Sequence, residues 1–452
     1  MSERHLGTPA MPAEPDATPT GRIPEHLPDR LAISLWDFSW YTRAGAGEPF
    51  DDVDRAMAEA VHRGYNAVRI CAAPLLVAGD LGLDTLAVDL PIEGLGAAPT
   101  GGYYGQRTRW YDTPGGYSID VRGRLFELLA SARRRGVVVV LASWEYQQST
   151  SFAGDPAWFE AIDAVPLERR YDVLADAFGR LLDDIRDAGL IDVVAFTELH
   201  NEVDFSMLPA VDAGAAGGAA AGRASGGGAG SGVAALARLR AWHPDQLVTV
   251  SYGKPPHLAM HRLSPALEVA QFHVYSYGVL DALQRRIDIR SEGTAGFPNA
   301  ELRALLRADA PSVEEYGRPA EWKLRATVIT DQMIYGYDWI DASAWDAWLA
   351  AHYDAHHEVM RREIESRVVA VAEWARWRSV PAVVGEGWIG YTPRDGGFEE
   401  GPIGRALAEH GIRTALDHGV WGVVACSNAA PHHPMWSDVE WQQLVNREIT
   451  SR

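Results

Sequence analysis

The chain has 452 residues, 47% of them hydrophobic, which is enough for one large domain around a sizeable core. Its formal net charge of −20 argues against nucleic acid or an anionic membrane surface as a partner, because both would repel the chain. Neutral and cationic small molecules remain open as substrates.

The N-terminal segment, residues 1–28, is rich in Pro, Glu and Thr and has no hydrophobic periodicity, so we predict a disordered tail. It also lacks the apolar stretch of a secretory signal, and no run of about 18 apolar residues could span a membrane. The chain has two widely separated cysteines, Cys71 and Cys426. These features predict a soluble, cytoplasmic protein whose thiols are reduced.

From Leu31 onwards, short apolar runs alternate with amphipathic helical segments. Eight runs are predicted strands: Leu31–Leu35, Ala67–Cys71, Val137–Ala142, Val193–Thr197, Leu247–Ser251, Val269–His273, Val383–Gly385 and Gly422–Cys426. Short continuous apolar runs separated by helices indicate a parallel sheet that is buried on both faces. Eight such units predict an α/β fold, a (β/α)8 TIM barrel, over residues 29–452. An open dinucleotide-binding sheet would carry glycines after the first strand, where this chain has Trp36-Asp37-Phe38.

Two insertions interrupt this rhythm. Residues 212–232 consist almost wholly of Ala, Gly and Ser, which predicts a flexible loop. Residues 278–367 are too long for one crossover helix and contain eight Trp and Tyr residues, which predicts a helical, aromatic-rich insertion after strand six, on the barrel rim. The aromatic side chains could form its core or a wall on which sugars stack.

Ionisable and aromatic residues cluster where the predicted strands end, which is where barrels of this class place their active sites. Two glutamates are best suited to work as a pair, because Glu202 follows strand four and Glu386 follows strand seven. A closed barrel brings these strand ends to one pocket, and retaining glycoside hydrolysis needs two carboxyl groups ~5–5.5 Å apart. Arg69 and Tyr275 are suited to keep the nucleophile of such a pair ionised.

Four segments resemble the motifs of clan A glycoside hydrolases, especially the family 5 cellulase-like enzymes. The stretch Thr197-Glu198-Leu199-His200-Asn201-Glu202 resembles their strand-four signature, and Val384-Gly385-Glu386-Gly387 resembles their strand-seven segment. His273-Val274-Tyr275 is similar to the strand-six motif, and Asn66-Ala67-Val68-Arg69-Ile70 to the strand-two motif. The four occur in the family's order and cover roughly residues 31–436.

This resemblance implies a retaining β-glycosidase with Glu202 as acid/base and Glu386 as nucleophile. It further implies that Asn201 contacts the sugar 2-hydroxyl and that Arg69 and Tyr275 support Glu386. From their positions at strand ends, we predict that substrate contacts also come from Trp36, Asp37, Trp144, Glu145, His273, Trp388 and Asn428. No cofactor and no metal ion are expected, because the paired histidines of the chain lack a third ligand in their motif.

The predicted substrate is a small carbohydrate or glycoside. An insertion that closes one end of the cleft would favour exo action on short oligosaccharides. The chain departs from the family pattern at Val203, where proline is usual, and at Cys426-Ser427-Asn428, where many members have a tryptophan. These departures leave two alternatives, a catalytically silent sugar-binding protein and a transglycosylase or other barrel enzyme.

Overall fold

The computed structural model describes residues 21–211, 231–291, 295–390 and 392–452. The strands are β1 (Leu31–Asp37), β2 (Ala67–Cys71), β3 (Leu90–Ile92), β4 (Tyr117–Ile119), β5 (Val138–Ala142), β6 (Val194–Glu198), β7 (Val248–Thr249), β8 (Ser251–Tyr252), β9 (Ala270–Tyr275), β10 (Ala382–Trp388) and β11 (Gly422–Val424). The helices are α1 (Ser39–Thr42), α2 (Val53–His62), α3 (Pro74–Val77), α4 (Asp84–Val88), α5 (Val121–Arg135), α6 (Ala157–Asp163), α7 (Arg170–Asp187), α8 (Ser231–Trp242), α9 (Gly278–Ile287), α10 (Ala300–Leu305), α11 (Val313–Tyr316), α12 (Glu321–Arg325), α13 (Asp331–Trp339), α14 (Ala342–His352), α15 (His357–Arg378), α16 (Pro402–Asp417) and α17 (Val439–Ser451).

Nine of these strands form one parallel sheet in the order β7-β6-β5-β2-β1-β11-β10-β9-β8. The first strand pairs with the last, with Leu31 opposite Gly422. Only Val250 separates β7 from β8, so these two short pieces are the halves of the fifth barrel strand. The sheet is therefore a closed eight-stranded barrel, and the predicted (β/α)8 TIM barrel is confirmed.

The alternation of side chains along the strands divides the core into two parts. Leu31 and Ile33 belong to a cluster with Val138 and Val140 from the neighbouring strands. Ala32, the residue between the first two, belongs to a larger cluster that packs the strands against the helices. One face of each strand thus fills the barrel and the other face holds its helices, as expected for strands buried on both sides.

The insertion after the sixth barrel strand is helical, as predicted, and contains α9 to α14 and the start of α15. Its aromatic residues Tyr316, Tyr337 and Trp345 are buried, with at most 1% of each residue exposed, so they form the core of the insertion. An excursion that the sequence pattern did not reveal, residues 72–120, holds β3, β4 and the two short helices α3 and α4 between the second barrel strand and α5.

The predicted tail and loop fall partly outside the described residues, which begin at Gly21 and omit 212–230. Of residues 21–28, the described end of the predicted tail, one side chain is buried and one carbonyl oxygen contacts the barrel. Leu27 is buried, and the Trp421 indole donates a hydrogen bond to the carbonyl oxygen of Pro28. Within the described ranges, no helix is both long and apolar enough to cross a membrane.

Candidate active site

The carboxyl groups of Glu202 and Glu386 face each other across the C-terminal mouth of the barrel. Glu202 follows β6, and Glu386 lies in β10 opposite His273 of β9. Ligand atoms of these two carboxylates and of the His273 ring lie within 4.8 Å of one another. This separation is closer to the ~5–5.5 Å of retaining glycosidases than to the ~6.5–9.5 Å of inverting ones.

Two hydrogen-bond donors hold the Glu386 carboxylate. Arg69 Nη1 donates to Oε1 and the Tyr275 hydroxyl donates to Oε2, both at 2.8 Å. The Ser427 hydroxyl lies 2.8 Å from the Tyr275 oxygen. Burial and the charge of Glu386 raise the pKa of Tyr275 well above its ordinary value, so the phenol keeps its proton. Both oxygens of Glu386 are therefore held in place by hydrogen-bond donors.

Arg69 is the centre of a buried polar network beneath the two glutamates. Its Nε and Nη2 each donate to an oxygen of Glu198 at 2.8 Å, and Nη2 also donates to Asn201 Oδ1 at 2.5 Å. Burial alone would lower the pKa of Arg69, but the carboxylates of Glu198 and Glu386 raise it above its ordinary value. Arg69 is thus a permanent cation that orients Glu386 and Asn201.

Glu202 has the environment of a proton donor. Burial raises its pKa to about 7, partly offset by the hydrogen bond that Gln147 Nε2 donates to Oε2 at 2.9 Å. About 19% of its side chain is exposed, against 12% for Glu386, so both carboxyl groups open to the cavity. The backbone of Glu202 has φ 41°, in the left-handed region, and its N–H donates to Ser251 Oγ.

His273 lies between the two carboxyl groups. Its Nδ1 atom is 2.7 Å from Glu202 Oε1 and 3.5 Å from Glu386 Oε2. Burial lowers the pKa of His273 to about 4, so the ring is neutral near pH 7. A neutral ring with its proton on Nδ1 donates to Glu202 and places no positive charge beside that carboxyl group.

A cavity of about 400 Å³ lies above these groups. Six of the residues predicted at the site line it, namely Asp37, Trp144, Asn201, Glu202, Tyr275 and Glu386. Arg69 and His273 contact the two glutamates from below. Further lining residues escaped the sequence reasoning, and these include Trp110, Gln147, Phe205, Lys254, Tyr277, Arg290, Val328, Ile329, Met333 and Arg367.

Asp37 presents a carboxyl oxygen to the cavity. Its Oδ1 accepts hydrogen bonds from the backbone and the hydroxyl of Ser39, each at 2.6 Å. Its Oδ2 is buried and has no hydrogen-bond partner within the described part of the chain. Burial raises the pKa of Asp37 to about 8, which leaves Oδ2 able to donate to or accept from a ligand hydroxyl.

Two tryptophans predicted at the site point away from it. Side chains alternate between the two faces of β1, and Trp36 lies on the outer face. Its ring packs edge-on against Phe50, with ring centroids 5.1 Å apart. The Trp388 ring packs against α16, where a Cβ at Gly411 would lie 2.3 Å from it, and its indole donates to Ala425 O. Both are core residues, which corrects their predicted contact with substrate.

Two further residues predicted to contact substrate, Glu145 and Asn428, bind other parts of the chain instead. The Glu145 carboxylate accepts the backbone N–H groups of Leu75 and Leu76, each at 3.0 Å, and so caps the first turn of α3. Asn428 is fully buried and donates to Glu400 Oε1 at 2.7 Å. These side chains hold loops behind the cavity wall, and the prediction that they contact substrate is corrected accordingly.

Comparison with known proteins agrees with this architecture. A family model described as "Cellulase-like: Sugar-binding cellulase-like" matches residues 33–210 and 315–450. No curated protein sequence matches the chain.

Among solved structures, the chain is similar to a Parabacteroides distasonis protein that is provisionally described as a glycoside hydrolase. The two share 20% identity and a TM-score of 0.63, over 93% of this chain and 94% of the other. Lower similarity extends to an endo-1,4-β-D-mannanase from Thermotoga petrophila, at 12% identity, TM-score 0.43 and 87% of each chain. A family 5 mannosidase from Rhizomucor miehei gives 12% identity, TM-score 0.42 and 93% of each chain.

Proposed function

The chain belongs to the sugar-binding cellulase-like family, and from that premise we propose that it is a retaining β-glycosidase. The observation that carries this proposal is the facing pair Glu202 and Glu386, whose oxygens lie within 4.8 Å. The donors around Glu386 suit a nucleophile, and the raised pKa of Glu202 suits an acid.

The proposed reaction is a double displacement. Glu386 attacks the anomeric carbon while Glu202 protonates the leaving oxygen, and the glycosidic bond breaks to leave a covalent glycosyl ester. Glu202, now ionised, then removes a proton from water, the water oxygen attacks the same carbon, and Glu386 departs as a carboxylate. Arg69 and Tyr275 hold Glu386 in place through both steps.

The proposal predicts a specific pH profile. Because Glu202 must carry a proton in the first step and its pKa is about 7, kcat/KM should fall as pH rises through that value. Glu202→Gln should lower kcat/KM for poor leaving groups by about 10²–10⁴-fold. The leaving group of a 2,4-dinitrophenyl glycoside departs without protonation. With this substrate, kcat/KM of Glu202→Gln should no longer fall as pH rises through about 7. An alkaline limb near pH 7 that persists in this variant would contradict the assignment.

The cavity fits small substrates acted on at a chain end. Its volume of about 400 Å³ lies near the lower bound for small-ligand sites. Trp110 from the excursion and Val328 and Met333 from the rim insertion wall it, so the cavity is not an open cleft. We therefore propose exo action on short oligosaccharides or small glycosides. Internal cleavage of a polymer, seen as a rapid fall in viscosity, would contradict it.

The second candidate is a sugar-binding protein without turnover. It is favoured by Val203, where the resembling hydrolases usually have proline, and by Cys426-Ser427-Asn428, where many of them have a tryptophan. A panel of aryl β-glycosides of glucose, mannose, galactose and xylose separates the two candidates. Release of the β-anomer as first product, followed by NMR, supports the retaining enzyme. Calorimetric binding of a sugar without release of any aryl group supports the binding protein.

Metal-dependent hydrolysis is a further chemistry to test, because Glu202, His273 and Glu386 are close enough to share an ion. The Arg69 guanidinium, 2.8 Å from Glu386, opposes a cation at this position. We expect dialysis against EDTA to leave kcat/KM unchanged. A loss of activity that added Zn²⁺ or Mn²⁺ restores would contradict this expectation.

A further inference from the structure

The wall of the cavity carries three basic residues beside its three carboxyl groups, although the chain as a whole has a net charge of −20. Lys254, Arg290 and Arg367 all line it. The whole-chain charge leaves only neutral or cationic substrates open, whereas the local charge favours an anion.

Lys254 stands beside the proposed acid Glu202. It follows Gly253, where a Cβ atom would lie 3.0 Å from Glu202 Oε1. The Gly253 N–H donates a hydrogen bond to Asp204, the nearby acidic group. Burial raises the pKa of Asp204 to about 7, and the charge of Lys254 offsets part of that rise. Within the described part of the chain, no carboxylate lies at ion-pair distance from Lys254. Its ammonium group is therefore available to a ligand at the cavity mouth.

Arg367 and Arg290 also line the cavity. Arg367 donates to the carbonyl oxygen of Tyr275 and to Glu363. Burial and the positive charges of Arg367 and Lys254 lower the pKa of His257, while the Glu363 carboxylate raises it. Arg290 lies 5.1 Å from the ring centroid of Tyr277.

The cavity also has apolar lining residues. Phe205 lies against Gly253, where a Cβ atom would meet its ring at 2.6 Å. Val328, Ile329 and Met333 come from the rim insertion, and Val328 is 43% exposed. Aliphatic side chains offer no hydrogen bonds to sugar hydroxyl groups, whereas they match a hydrophobic ring or acyl chain.

We infer that the part of the cavity beside Glu202 and Lys254 binds an apolar aglycone that carries an anionic group, a carboxylate or a phosphate. The inference rests on the proposed function in one respect. The acid Glu202 protonates the leaving oxygen, so the aglycone must lie next to Glu202. Lys254 and Arg290 then contact the anionic group while Phe205 and Met333 pack against the apolar part.

Equilibrium binding to the Glu386→Gln variant tests this inference without turnover. Phenyl β-glycosides of the four sugars above are prepared with a 4-carboxylate, a 4-phosphonate or a neutral 4-carboxamide, and Kd is measured by calorimetry. One or both anionic series should bind about tenfold tighter than the amide. The advantage should shrink between 20 mM and 500 mM NaCl, because salt screens exposed charges. The preferred anion identifies the chemical group.

Two second-site variants in the same background complete the test. Lys254→Gln should remove most of the preference for the anion, whereas Arg447→Gln, an exposed charge on α17, should leave it unchanged. Equal or tighter binding of the amide would overturn the inference while leaving the glycosidase proposal intact. Absence of binding by every series would contradict both.

Discussion

Replacement of Glu386 by Gln should lower kcat by about 10⁴-fold or more, the order of loss seen when one member of a concerted catalytic set is removed. The amide cannot attack the anomeric carbon, yet it fills nearly the same volume. Its oxygen can still accept the hydrogen bond of Arg69, and its NH2 group can donate to the Tyr275 oxygen, which then donates to Ser427. The variant should therefore fold normally and still bind substrate. Release of nitrophenolate from the preferred aryl glycoside measures the loss.

Chemical rescue gives this prediction its sharpest form. In Glu386→Gly, azide can occupy the vacated space and attack the anomeric carbon as the aryl oxide leaves, which yields a glycosyl azide of inverted configuration. The exposed Glu440→Gln variant should keep full activity and serves as the matched control. If Glu386→Gln retains wild-type activity, or azide gives no such product, another group is the nucleophile.

The second large effect is expected on stability. Arg69→Met leaves the Glu198 carboxylate fully buried without its cation and takes a donor from Glu386. Breaking a buried ion pair by removing one partner destabilises a protein by about 3–5 kcal/mol. We expect a loss of that size in the free energy of unfolding, measured by urea titration at pH 7.

A double variant separates charge from packing. Arg69→Met combined with Glu198→Gln removes both charges and should recover part of the lost stability, because the fully buried anion at position 198 is no longer present. Exposed Arg447→Met should change the free energy of unfolding by less than about 0.5 kcal/mol. A similarly small change for Arg69→Met would show that the buried network is not needed for folding.

The barrel was predictable because each strand is a short apolar run between helices. Val383–Gly385 was recognised as a strand, although β10 extends from Ala382 to Trp388. The excursion over residues 72–120 was missed, since β3 and β4 have three residues each and carry no measurable periodicity. The break at Val250 also has no sequence signal, because no glycine or proline marks it.

The rule that active-site residues lie at strand ends found Arg69, Asn201, His273 and Tyr275, and all four contact a proposed catalytic glutamate or its hydrogen-bonded neighbours. It failed for Trp36 because a residue at a strand end can point outward as readily as inward. Gln147 and Tyr277 were within its reach, since each follows shortly after a strand. Trp110, Val328 and Met333 come from insertions, whose approach to the cavity depends on packing that sequence patterns do not encode.

The backbone of Glu202 holds strain at the candidate site. A residue with a Cβ atom in the left-handed region loses about 1–2 kcal/mol relative to the right-handed one, and glycine escapes most of that penalty. Strain of this kind persists only where the surrounding structure holds the residue in place, and it is concentrated at functional sites. Under the proposed function, the chain gives up part of its stability to hold this carboxyl group at the cavity.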